Sequence, residues 1–176
     1  DGLFQLAPDG SPTSVDVGDG AVLHAVASPG GGAAAVLVDA DGSRQVRVLQ
    51  AGHPPRTVPV ANDAARVRAV SEDGSVIVVQ RSNDVLAASI ESDGTEKMVL
   101  VDVGAVGRLM YSVALSADGS RLAFSAMRAA CADSQERAET CPVGLYGVDL
   151  DAARAAPRPI DVPEGGVSYD PQFAEP

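Results

Sequence analysis

Tryptophan is absent from this 176-residue chain, and aromatic residues make up only 3% of it. A stacking platform for sugar rings therefore has little to be built from. Histidine occurs twice, as His24 and His53, in no metal-ligand spacing, and there is no His-Glu-x-x-His pair. No Gly-x-Ser-x-Gly elbow occurs, so a serine hydrolase would lack its usual nucleophile. Positive charge is also scarce: 13 Lys and Arg stand against 24 Asp and Glu, a net charge of −11. Binding to nucleic acid or to anionic lipid draws its affinity from Lys and Arg, so this balance argues against both partners. Long hydrophobic runs are missing as well. The longest, Ala33 to Val38, is strand-sized, far below the roughly 18 residues needed to span a bilayer.

What is present is punctuation. The 18 Gly and 12 Pro interrupt the chain often enough to suit many short strands joined by turns. Between them lie β-branched runs such as Val76-Ile77-Val78-Val79 and Lys97-Met98-Val99-Leu100-Val101. In Leu109 to Leu115 and in Tyr146 to Leu150, alternate residues are apolar, which predicts half-buried strands. Helical composition is confined to Ala126–Thr140, enough for a turn or two of helix. The fold class is therefore all-β.

Self-comparison shows a repeat. Val26 to Val36, Ala69 to Val79 and Ala114 to Phe124 align without gaps. Each has an apolar strand end, then Ser-x-x-Gly or Ser-x-Asp-Gly-Ser, then a second apolar strand. The serines are Ser28, Ser71 and Ser116, and Pro171 to Pro176 reads as a truncated fourth copy. A second turn falls in each unit: Pro8-Asp9-Gly10-Ser11, Ala40-Asp41-Gly42-Ser43, Ser92-Asp93-Gly94-Thr95 and, without its glycine, Leu150-Asp151-Ala152. Asp-Gly between apolar runs favours a hairpin, because Gly accepts positive φ and Asp tolerates it. About four strands in about 44 residues is the content of one four-stranded antiparallel propeller blade. By that period the chain divides into the end of one blade (1–20), blades at 21–62, 63–106 and 107–166, and the start of another (167–176). The third blade carries an insertion at 126–142.

These residues resemble the TolB-like family of β-propeller repeats. Leu115-Ser116-Ala117-Asp118-Gly119-Ser120-Arg121-Leu122-Ala123-Phe124-Ser125, followed by Leu145-Tyr146-Gly147-Val148-Asp149-Leu150-Asp151, is close to that family's blade signature. Pro is kept only at Pro29 among the internal copies, and the first copy has Gly30-Gly31 where Asp-Gly stands in the others. The resemblance implies a propeller and says little about function, since such blades serve in periplasmic partners, receptor ectodomains and noncatalytic domains of peptidases. Three blades and a part of another fall below the four to eight that usually close a ring. The expectation is an incomplete ring, completed by a protein partner such as the rest of the propeller or another chain. The expected function is a noncatalytic binding scaffold outside the cytoplasm. The alternatives are the propeller domain of a larger enzyme such as a prolyl-oligopeptidase-like peptidase, or a structural surface or assembly component.

Two site questions remain. Cys131 and Cys141 flank the polar insertion. A disulfide there would pin a long hairpin loop, contributing about 2.5–3 kcal/mol by loop closure, and would place the protein in an oxidising compartment. The other readings are two unrelated thiols or half of a metal site, although a zinc site would lack ligands. No cofactor is implied by any motif. Asp39 and Asp41 begin what could be a calcium loop, but the twelfth position is Gln50 rather than Glu, and Asp in such a turn ordinarily bonds its own backbone. Gly30-Gly31-Gly32 precedes a strand and not a helix, so it reads as a turn rather than an anion cradle.

Overall fold

The run from Val76 to Val79 is apolar at every position because each of its faces meets a different core. Ile77 and Val79 join one cluster of buried residues, and Val78 joins another, with Val76 packed beside it. This is the local signature of stacked sheets. The computed structural model describes residues 3–6, 11–59, 64–81, 84–90, 94–128, 143–151 and 154–161. These include strands and the short 3-10 turn Val103–Ala105. Among the described residues no helix is long and apolar enough to cross a membrane.

Three antiparallel meanders form three blades. The first contains β3 (Ala21–Ala27), β4 (Ala33–Ala40), β5 (Ser43–Gln50) and β6 (Arg56–Val58). The second contains β7 (Arg66–Val70), β8 (Val76–Arg81), β9 (Asp84–Ile90) and β10 (Glu96–Val101). The third contains β11 (Gly107–Leu115), β12 (Arg121–Arg128), β13 (Val143–Asp149) and β15 (Arg158–Pro159). Before them, β1 (Leu3–Leu6) and β2 (Pro12–Val15) make a separate hairpin. The fold is all-β with propeller-type blades.

The blades stack face to face. Leu37, Val46 and Val48 of the first blade share a core with Ile77, Val79 and Leu86 of the second. Val78, Val85 and Val99 of the second share another with Leu122, Phe124, Tyr146 and Val148 of the third. The other side of the first blade, with Val36 and Val38, is covered by Leu3, Val15 and Val17. At the same time β7, the first strand of the second blade, lies against β3 on one side and β11 on the other. The first strands thus meet along one face of the stack. Each carries a register break: between Val22 and His24, between Val67 and Ala69, and between Leu109 and Val113. An extra residue at a bulge turns side chains out of the regular alternation.

Three expectations change. The second sheet has five strands, because β14 (Arg154–Ala155) crosses from the third blade and pairs in parallel with Leu100 and Val101 of β10. It satisfies part of an outer edge that would otherwise present unpaired backbone groups. Second, the Asp-Gly turns are not equivalent. Asp41-Gly42 joins β4 to β5, the second and third strands of its blade, whereas Gly94 lies between β9 and β10, the third and fourth. Such a dipeptide specifies a tight hairpin and carries no information on which hairpin of the blade it closes. Third, the segment expected to hold helix begins as strand, since β12 runs on through Arg128. Its remainder lies outside the described residues, as do Cys131, Cys141, Pro8-Asp9-Gly10 and 167–176.

Candidate functional site

The Ser-x-Asp-Gly-Ser repeats close the turns between the first and second strands, and their polar groups are spent on that task. In the second blade the Ser71 and Ser75 hydroxyls each donate to Asp73 Oδ1 at 2.7 Å, and Ser75 N–H donates to the same oxygen at 2.9 Å. Ser71 Oγ in turn accepts from Val76 N–H at 2.9 Å. The third blade repeats the pattern on Asp118, with the Ser116 hydroxyl at 2.6 Å and Ser120 N–H at 3.0 Å. The Ser116 hydroxyl, helped by the Ser120 N–H and hydroxyl, pulls the Asp118 carboxyl down from 3.8 to about 2. For Asp73, burial pushes upward, but the Ser75 and Ser71 donors outweigh it and the net shift is downward.

A depressed folded-state pKa adds stability above the unfolded value, and that stability is lost as pH falls through the folded value. The contribution of Asp118 should therefore be complete above 3.8 and disappear between 3.8 and about 2. Asp118→Asn should flatten the acid limb of a plot of urea midpoint against pH in this window. An acid limb as steep as that of the parent chain would refute the assignment.

The first copy lacks the aspartate, and the second blade replaces it. Glu72 Oε2 accepts from Gly30 N–H at 2.9 Å and Glu72 Oε1 from Gly32 N–H at 2.7 Å. The Gly32 bond, followed by one from Ser28, holds the Glu72 carboxyl below its ordinary value. A Cβ at Gly32 would stand 2.5 Å from Glu72 Oε1, so glycine is what permits the approach. The triple-glycine turn thus does hold an anion, one supplied by the neighbouring blade, and the reading of it as a plain turn is corrected. Glu72 N–H also donates to Ala117 O of the third turn at 3.0 Å. From the first blade, Gln50 Nε2 and Arg56 Nη2 donate to the carbonyls of Asp73 and Gly74. The repeated turns are a stitched seam between blades.

The first strands carry different chemistry. On β7, Arg66 is exposed and Arg68 is half-buried at the register break. Arg68 donates through Nε and Nη2 to Gln80 Oε1, at 2.9 and 2.5 Å. Neither arginine is paired with a carboxylate among the described residues. Beside them on β3 sits His24. Its pKa is lowered by burial first and then by Arg66 and Arg68. Its Nδ1 is enclosed with no hydrogen-bond partner among the described residues. His24 thus stands in strand β3 with one ring nitrogen short of a partner among the described residues. In a chain of net charge −11, this is a local concentration of positive charge. Arg-x-Arg on a short strand is its sequence signal. The meeting with His24 is not in the sequence, because it depends on β3 lying against β7.

The remaining candidates have plain roles. Asp39 Oδ1 accepts from Gly42 N–H at 2.8 Å, and Asp41 and Gly42 take φ of 52° and 79°, the two positive values of a tight hairpin turn. Among the described residues no group of three or more His, Cys, Asp or Glu is clustered so as to hold a metal. A crevice of about 200 Å³ between the second and third blades is lined in part by Ser89, Lys97, Asp118 and Asp151. Asp118 is already committed to its turn there.

No protein-family model matches the chain, and no curated protein sequence matches it. Solved structures do. An oligogalacturonate lyase from Vibrio parahaemolyticus superposes with a TM-score of 0.52 at 10% identity, over 88% of this chain and 46% of that one. TolB from Acinetobacter baumannii gives a TM-score of 0.45 at 14% identity, over 89% of this chain and 37% of that one. The chain spans less than half the length of either. Both are β-propeller proteins, and the likeness to the lyase shows the propeller fold.

Proposed function

We propose that the chain is a noncatalytic binding scaffold of TolB-like propeller blades that receives a protein partner along its first strands. The observation that carries this reading is the meeting of β3, β7 and β11. Each ends its sheet, so one edge pairs with no other described strand, and β7 brings the other two together. This surface holds the two arginines without described carboxylate partners, and β3 adds Leu23, 48% exposed. Polar groups of the repeated turns, by contrast, are taken up in holding the blades. Loops and edges positioned by a rigid scaffold are where binding concentrates.

A photo-crosslinking residue at position 23 tests the reading in cells that express the natural protein. It should give a protein adduct, and the same residue at position 98, on the outer strand β10 where Met98 is 44% exposed, should not. No adduct at 23, or equal adducts from both positions, would overturn it. The setting we propose is extracytoplasmic, supported by the placement of Cys131 and Cys141 around one insertion. Thiol titration of denatured, unreduced protein is expected to find no free thiol; two per chain would remove that support.

A further inference from the structure

We propose that Arg66 and Arg68, beside His24 on the inner strands, form a recognition site for a carboxylate-rich peptide segment of the partner. This rests on the scaffold reading above and adds the partner's chemistry.

Two guanidiniums on one five-residue strand repel each other, and a carboxylate placed by them relieves that repulsion. Partial burial strengthens the effect, since charges shielded from water interact more strongly than exposed ones. Gln80 Oε1 takes one proton each from Nε and Nη2 of Arg68; this fixes the guanidinium and leaves its Nη1 protons and second Nη2 proton for a ligand, so little ordering remains to be done. The His24 ring lies close enough to feel the charge of both guanidiniums, so it reports on a carboxylate that binds them. A peptide is favoured over a free oxyanion because the arginines sit on a strand edge. β7 ends its sheet, and an extended chain can use backbone hydrogen bonds there while its side chains meet the guanidiniums. A phosphate ion could accept hydrogen bonds from the guanidiniums but has no backbone to pair with the strand edge. A second copy of this chain, with its net charge of −11, would be opposed at long range.

The test is fluorescence anisotropy with a labelled, end-capped hexaglutamate peptide at low ionic strength, with capped hexaglutamine and inorganic phosphate as comparisons. Hexaglutamate should bind and weaken as salt rises, and hexaglutamine should not bind. Arg68→Gln should weaken binding by at least about tenfold, and Lys97→Gln, in the distant crevice, by less than about twofold. The His24 imidazole resonance should move on adding hexaglutamate while that of His53 stays in place. Circular dichroism shows whether Arg68→Gln still folds; if it does not, Arg66→Gln at an exposed position takes its place. Equal binding of hexaglutamine, displacement by phosphate at the same concentration as the peptide, or unchanged affinity in a folded arginine variant would each overturn the proposal. A successful crosslink from position 23 with no hexaglutamate binding would sink the acidic-peptide proposal alone.

Discussion

Replacing Gly119 by alanine is expected to lower stability by about 2–4 kcal/mol, whereas the same change at Gly94 should cost only about 1 kcal/mol. Both glycines have positive φ, 72° and 84°, so both substitutions incur the left-handed backbone strain. They differ in surroundings. A Cβ on Gly119 would lie 2.5 Å from Val76 Cγ2 and 2.8 Å from Val76 Cβ, while one on Gly94 meets nothing within 4 Å. Val76 is β-branched and belongs to the second blade's strand β8, so it has little freedom to give way. Gly74 makes the same approach one blade earlier, with its Cβ position 2.8 Å from Val48 Cγ1. Chemical denaturation of the two variants decides the matter. Equal losses would show that Gly119 serves only its turn and that the blades do not close on it.

Phe124→Ala should be of similar or greater size, about 3–5 kcal/mol. Phe124 is 1% exposed and is one of the largest fully buried side chains. It lies opposite Tyr146 on the neighbouring strand, with ring centroids 5.7 Å apart. It also belongs to the cluster that joins the second and third blades. Truncation would remove the burial and the ring contact and leave a cavity, because strands fixed by their own ladders cannot collapse inward. Hydrogen exchange should then rise in β12 and β13 and in the facing strands β8 and β9, not in the third blade alone. Leu100→Ala, at a side chain 39% exposed on the rim, should stay within about 0.5 kcal/mol. A loss confined to the third blade would mean that the blades are not energetically coupled through this core.

Much of this was legible from residue order. The Ser-x-Asp-Gly-Ser copies encode a local event: a hydroxyl and a carboxylate within five residues cap the amides of their own turn, which Ser71 and Asp73, and Ser116 and Asp118, then do. Positive φ at Gly74 and Gly119 belongs to the same turns. The shared face of Tyr146, Val148 and Leu150 is the period of a strand, and those residues enter one core. Contacts between distant segments were not legible. Nothing near Gly30 announces that a carboxylate 42 residues on would fill the place of the missing aspartate, because Glu72 reaches it only once two blades stack. The rank of each Asp-Gly hairpin and the parallel addition of β14 to β10 likewise depend on which edges are left to be paired. The site is the clearest case. Sequence determined that His24 and the Arg66–Arg68 pair would lie on strands, while tertiary structure alone set β3 against β7, since an imidazole feels two guanidiniums through space and not along the chain.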